Sequence, residues 1–219
     1  DELRAVAARH APRRVIFRDP VWAHDLARAE TLCRLILEDR ALQAGGRLAW
    51  ECESRPDQFP APLLRAMALA GCVGIKVGLE TTDAGLLARH GRVVGQADAA
   101  HYLARAGALV RGCARYGIAC RLYVMVGLPG QTAAMARETA GWVAEARPAS
   151  LTIKEFVAYP GLRLTAEDCP APDDVAAQAA PLEAVQRDLA AHPVVAAPRW
   201  LRRLRRRWWR LALPARRGG

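Results

Sequence analysis

No CxxC, no CxxxCxxC and no histidine pair at zinc-finger spacing occurs in the 219 residues. The six cysteines, Cys33, Cys52, Cys72, Cys113, Cys120 and Cys169, are scattered, which excludes a metal framework legible from spacing and favours reduced, mostly buried thiols. No apolar run reaches the roughly 18 residues of a bilayer span, and residues 1 to 30 lack the layout of a signal peptide, so the cytoplasm is the expected compartment. An initiating methionine is also missing, since the chain opens on Asp1, and it is read as a piece of something longer.

What is present suits a soluble globular domain with an appendage: 52% apolar and 25% charged residues. The net charge of +10 looks at first like a signal for nucleic acid. It is concentrated in residues 199 to 219, "RWLRRLRRRWWRLALPARRGG", which hold nine arginines and no acid, so the preceding body carries only +1.

Five runs rich in Val, Ile, Leu and aromatics predict strands: 14 to 17, 47 to 52, 73 to 79, 120 to 127 and 150 to 158. Their near-continuous apolar character suits parallel strands covered on both faces. Helical patterns fall between and after them, at 25 to 43, 61 to 70 with Gly71 as C-cap, 97 to 116 ending near Gly117, 132 to 147 with Thr132 as N-cap, and 174 to 191. Alternating strand and helix predicts repeated βαβ units, hence an α/β parallel sheet or barrel. After residue 160 the composition turns to Ala, Pro and Asp, which places a boundary near 165.

Ligands of parallel α/β folds gather where strands end. The five runs lead into Arg18-Asp19-Pro20; Glu53 to Asp57, with Glu51 inside the run; Glu80-Thr81-Thr82; Gly127-Leu128-Pro129-Gly130; and Tyr159-Pro160-Gly161. Each has a plain alternative: a turn at Asp19-Pro20, a surface pair of Arg55 with Asp57, an exposed acid at Glu80, a tight connection at Gly127 to Gly130. Together they would converge on one mouth of a barrel, which makes a ligand site the better reading.

In this order, "VIFRDPVW", "WECESRPD", "AGCVGIKVGLET", "YGIACRLYVMVGLPGQT" and "AYPGLRL" resemble the core of radical S-adenosylmethionine enzymes, most closely the branch with a cobalamin-binding domain. The resemblance covers about residues 1 to 164 and implies a partial (β/α)6 TIM-like barrel, followed by an irregular or helical extension at 165 to 198 and the basic tail at 199 to 219. It also implies a 4Fe-4S cluster on three cysteines of a CxxxCxxC loop after the first strand, with S-adenosylmethionine on the fourth iron. Residues 1 to 12 read as the end of the helix that follows such a loop, which would put the first strand and its cysteines upstream of this chain.

By the same resemblance, Asp19 and Glu51 are expected near the methionine amine, Glu80 at the ribose hydroxyls, and Arg92 at the methionine carboxylate, a bidentate role suited to a guanidinium. Gly127, Leu128 and Pro129 are expected to form the shelf for adenine, and Tyr159-Pro160-Gly161 matches the turn after the sixth strand, with Leu162 where a Thr is common. Glu53 and Arg55 either face the cofactor or pair with neighbours.

The implied partners are a small-molecule or lipid substrate, an electron-donor protein, and cobalamin in an upstream domain. In the tail, Trp200, Leu201, Leu204, Trp208 and Leu211 share one side of a helix, which suits an anionic membrane surface; docking on an upstream domain, nucleic acid and a plain basic terminus are alternatives. The rival to the enzyme is a barrel without a cluster, acting as a binding or scaffold protein tethered by that tail.

Overall fold

The computed structural model describes residues 1 to 43, 48 to 159 and 169 to 193. Five strands, β1 (Val15–Ile16), β2 (Trp50–Ser54), β3 (Cys72–Glu80), β4 (Ala119–Val126) and β5 (Ser150–Glu155), form one all-parallel sheet in the order β1-β2-β3-β4-β5. Sequential order with crossovers of one hand puts every connecting helix on the same face, and a sheet covered on one face only curls into a barrel wall. The result is a half-barrel of the expected α/β, TIM-like kind.

That topology corrects the expectation of strands covered on both faces. Along β4 every second residue, Cys120, Leu122, Val124 and Val126, is buried, whereas Arg121, Tyr123 and Met125 are only partly so. The buried set joins Ile75, Val77 and residues of the helices in a single core, and the alternate set lines the hollow of the half-barrel. Polar residues inside the apolar runs are this second face, read at period two.

The helices are α1 (Glu2–His10), α2 (Leu26–Glu38), α3 (Arg40–Gln43), α4 (Ala61–Leu69), α5 (Ala84–Arg89), α6 (Gln96–Tyr116), α7 (Ala133–Ala146) and α8 (Pro172–Ala191). The cap residues behave as expected: Thr132 accepts from the Met135 N–H at 3.3 Å, and Gly117 takes the left-handed conformation, φ 66°, that ends α6. The expected helix over 25 to 43 is instead broken at Asp39, whose carboxylate accepts from the Ala41 and Leu42 N–H groups and starts a new turn. Helix α5 was not foreseen; Asp83 caps it by accepting from Leu86 N–H at 2.8 Å.

Helix α8 begins at Pro172, two residues before the expected start, and packs back on α7 and β5 with Leu182 and Leu189 in the barrel's core. The turn at 160 to 162 and the tail at 199 to 219 lie outside the described residues.

Candidate functional site

The C-terminal halves of the strands open into a groove of about 530 Å³ on the inner face, to which the loop after β1 and all of β2 to β5 contribute. Its centre is β3. Gly78 has no side chain there, and a Cβ at that position would lie 2.8 Å from the Arg92 guanidinium and collide with the Glu80 carboxylate. The glycine is what admits both groups.

Glu80 and Arg92 form an ion pair at 3.0 Å, and Arg92 also donates to the Gly78 carbonyl. Tyr102 on α6 donates to the same carbonyl at 3.1 Å, and Arg55 donates to the Arg92 carbonyl at 2.7 Å while gripping Asp57 with two contacts of 3.1 Å. Arg55 also stands over the Tyr102 ring, 5.8 Å from its centroid. Burial pushes the Tyr102 phenol up to about 12, so it stays a neutral donor. Burial likewise raises the Glu80 carboxyl above its ordinary range; Arg92 opposes this, and the nearby Glu53 charge adds to it. The Nε of Arg92 is buried and has no hydrogen-bond partner among the described residues.

One layer deeper, Glu51 is only 1% exposed. Arg14 and Arg121 each reach one of its oxygens at 2.6 Å, and Gly74 in the next strand leaves it room, since a Cβ there would lie 3.0 Å from the carboxyl carbon. Burial disfavours its charge, but the Arg121 hydrogen bond and the Arg121, Arg14 and Lys76 charges together hold it below the ordinary range. Glu51 is thus the floor beneath the groove, saturated by protein partners.

The other expected residues, Asp19 and residues 127 to 129, lie outside the lining of the groove. Asp19 pairs with Arg28 at 3.1 Å on the rim, beside Arg18 and Pro20, which do line the groove. Gly127, φ 76°, turns the chain at the end of β4. Its N–H donates to Gln178 at 2.8 Å, the Leu128 N–H donates to Gln131 at 3.1 Å, and the Pro129 carbonyl accepts from Arg89 at 3.3 Å. Glu80 and Arg92 are therefore brought together with Arg55 and Glu53 in the groove, Asp19 adjoins its lining residues Arg18 and Pro20, Glu51 lies beneath, and residues 127 to 129 are not among the described residues that line it. Sequence reading passed over Lys76, Lys154, Tyr102, Gln131 and Gln178. The signal for the first was the spacing of Gly74 and Gly78 around Lys76 in a strand, which marks close approach.

No protein-family model and no curated protein matches the sequence. Among solved structures, the chain superposes on the radical S-adenosylmethionine methyltransferase TsrM from Kitasatospora setae, with cobalamin and a 4Fe-4S cluster bound, at a TM-score of 0.61 and 22% identity over 71% of this chain and 28% of TsrM. The fold is that of the radical S-adenosylmethionine enzymes. The radical enzyme HemN of Escherichia coli, a coproporphyrinogen III oxidase, gives 0.58 and 14% over 86% of this chain and 55% of HemN. The cobalamin-dependent radical enzyme OxsB gives 0.53 and 16% over 69% and 22%. The chain thus spans 22% to 55% of the length of these radical S-adenosylmethionine proteins.

The cofactors of that fold meet the described residues unequally. A groove with a recessed acid, an unpartnered buried guanidinium N–H and a glycine cradle fits a nucleoside bearing an amino acid. A 4Fe-4S cluster does not fit: iron needs thiolates, and Cys33, Cys52, Cys72, Cys113 and Cys120 are buried. Burial pushes Cys33 up to about 12, and the Cys52–Cys72 and Cys113–Cys120 hydrogen bonds, with burial, drive Cys52 and Cys113 well above the usual thiol range. Among the described residues no three His, Cys, Asp or Glu side chains are grouped to hold a metal ion. None of these residues is assigned to cobalamin.

Proposed function

We propose that this chain is the C-terminal part of a radical S-adenosylmethionine enzyme barrel whose groove binds S-adenosylmethionine, in a protein that carries the 4Fe-4S cluster outside the described residues. The reaction in this reading is cobalamin-dependent methylation or cyclisation of a small molecule or lipid, and the fold shared with the methyltransferase TsrM supports the first of these. The observation that carries the reading is the Glu80–Arg92 pair, recessed over Gly78 at the C-terminal mouth of a sheet with this fold.

Bound beside a reduced cluster, S-adenosylmethionine supplies a 5′-deoxyadenosyl radical. The residues of this chain bind and orient it. Glu80 accepts from the ribose hydroxyls, Arg92 meets the methionine carboxylate with the N–H it has to spare, and the loop at Gly127 to Pro129 closes the side where adenine lies. Asp19 and Glu51 border the amine end, Glu51 through the arginines it holds.

Titration of the 219-residue chain with S-adenosylhomocysteine tests the pocket without the cluster: saturable binding is expected, and its absence sinks the reading. The reading frame upstream of Asp1 tests the chemistry: a CxxxCxxC motif supports the enzyme, and a start codon with no such motif leaves a binding or scaffold barrel. For the tail, an anionic membrane surface is the partner its arginines and tryptophans fit best. Removal of residues 199 to 219 is expected to lower pelleting with phosphatidylserine liposomes at low salt; unchanged pelleting removes the membrane from the account. Among the described residues no helix is long and apolar enough to cross a membrane.

A further inference from the structure

Of the 32 basic residues in the chain only two are lysines, Lys76 and Lys154, and both line the groove. Every other one is an arginine, including all those in ion pairs with Glu51, Glu80 and Asp57. The two side-chain types do different work, for a guanidinium is a planar fork that locks onto a carboxylate, whereas an ammonium is a compact charge on a flexible stem that follows a ligand.

The placement of the lysines is equally particular. Lys76 stands at the middle of β3, in register with Glu53 on one side and Arg121 on the other, and Lys154 lies on β5, in register with Met125. Arg18, in the loop after β1, contributes a third cation from the opposite edge of the half-barrel. Among the lining residues Arg92 is held by Glu80 and Arg55 by Asp57. That leaves Arg18, Lys76 and Lys154 against the single carboxylate of Glu53, and among the described residues none of the three cations forms an ion pair. In the layer below, the one carboxylate that Lys76 feels, Glu51, is already ion-paired with both Arg14 and Arg121, so the cations still outnumber the acids.

We propose that Lys76, Lys154 and Arg18 receive an anionic group of the substrate, a carboxylate or a phosphate, which enters the groove beside the nucleoside. This rests on the groove being the ligand site. Strands β3 and β5 and the loop after β1 then contribute one cation each, so the anion is fixed across the hollow of the half-barrel while the Glu80–Arg92 end remains for the cofactor. Converging cations in a walled cleft also draw anions inward before contact.

Because the lysines are so few, they can be read one at a time. The full chain is treated with acetic anhydride at fixed ionic strength in potassium chloride, pyrophosphate or succinate, and acetylation of Lys76, Lys154 and the terminal amine is followed by peptide mass spectrometry. Pyrophosphate or succinate is expected to slow acetylation of both lysines about tenfold, the worth of one charge-assisted hydrogen bond, with the terminal amine unchanged. The arginine tail does not enter this readout. Equal effects on all three amines, or none, would show a merely solvated set of cations and overturn the proposal. Protection by S-adenosylhomocysteine with none from either anion would give the lysines to the cofactor, and overturn it too. Anion protection in a chain that fails to bind S-adenosylhomocysteine would sink the nucleoside reading and leave the anion site standing. In a second measurement, Lys76→Met is expected to lose protection at Lys154 and Lys76→Arg to keep it; retained protection in Lys76→Met counts against a shared site.

Discussion

Arg92 reaches back twelve residues to place its guanidinium 3.0 Å from the Glu80 carboxylate, and Glu80 is held there with φ 69°, in the left-handed region. Pairing slips by one residue at this point, from Gly78 opposite Tyr123 to Glu80 opposite Val124. A bulge and a left-handed acid at the end of a central strand are the kind of strain that a fold concentrates where ligands bind.

From this follows a separation of stability from binding. Left-handed backbone costs a residue with a Cβ about 1 kcal/mol, and burial already disfavours the Glu80 charge. Glu80→Gly should therefore raise the unfolding free energy by about 1 kcal/mol, read as a higher urea midpoint, while weakening S-adenosylhomocysteine about tenfold or more in calorimetric titration. Unchanged affinity would remove Glu80 from the site.

Glu51 and Glu80 should respond to pH in opposite senses. The folded pKa of Glu51 lies below its ordinary 4.5, so its contribution is present above that value and is lost as pH falls through the folded pKa. That of Glu80 lies above 4.5, so its ionisation costs stability as pH rises through the same region. Glu51→Gln should lose about 3 kcal/mol at neutral pH, leaving two arginines facing a neutral amide, and the deficit should shrink in acid. Glu80→Gln should gain relative to the parent as pH rises from acid to neutral. Denaturant unfolding at a series of pH values measures both; deficits that move in the same direction would contradict the assignment.

Much of this was legible in advance, and the limits have physical causes. The strand and helix alternation gave the barrel, because sequential βαβ order leaves little choice of topology. Its inner face was missed because Arg121, Tyr123 and Met125 interrupt an apolar run only at alternate places. Glu80 and Arg92 were found through a family resemblance and do meet. Glu51 was expected to face the methionine amine, yet the two arginines that occupy it come from residues 14 and 121, a partnership no local pattern encodes. The same holds for Gln178, 51 residues from the glycine it holds.

The thiols provide a separate check on where the iron is not. Cys33, Cys52, Cys72, Cys113 and Cys120 are packed on the helix side of the sheet, while Cys169 is partly exposed. Under native conditions an aromatic disulfide reagent should titrate about one thiol quickly, that of Cys169, and all six after unfolding. Rapid reaction of three or more would mean that the core cysteines are open to ligands.

Gln178 on α8 joins the C-terminal helix to the site. Its side chain is fully buried; the carbonyl oxygen accepts from the Gly127 N–H at 2.8 Å, and the amide donates to the Gln131 carbonyl at 3.0 Å. Gln131 in turn accepts from the Leu128 N–H and donates to the Met125 carbonyl at 3.1 Å, so two glutamines satisfy the backbone of the turn from both sides. Gln178→Leu preserves bulk but leaves the Gly127 N–H buried without a partner, a cost of about 2 kcal/mol. If residues 127 to 129 border the nucleoside, that change should also raise the Kd for S-adenosylhomocysteine and speed amide exchange at Gly127 and Leu128, with exchange in β3 unaltered. A loss of stability with the Kd and these amides unchanged would make α8 a plain packing element and detach the turn from the pocket.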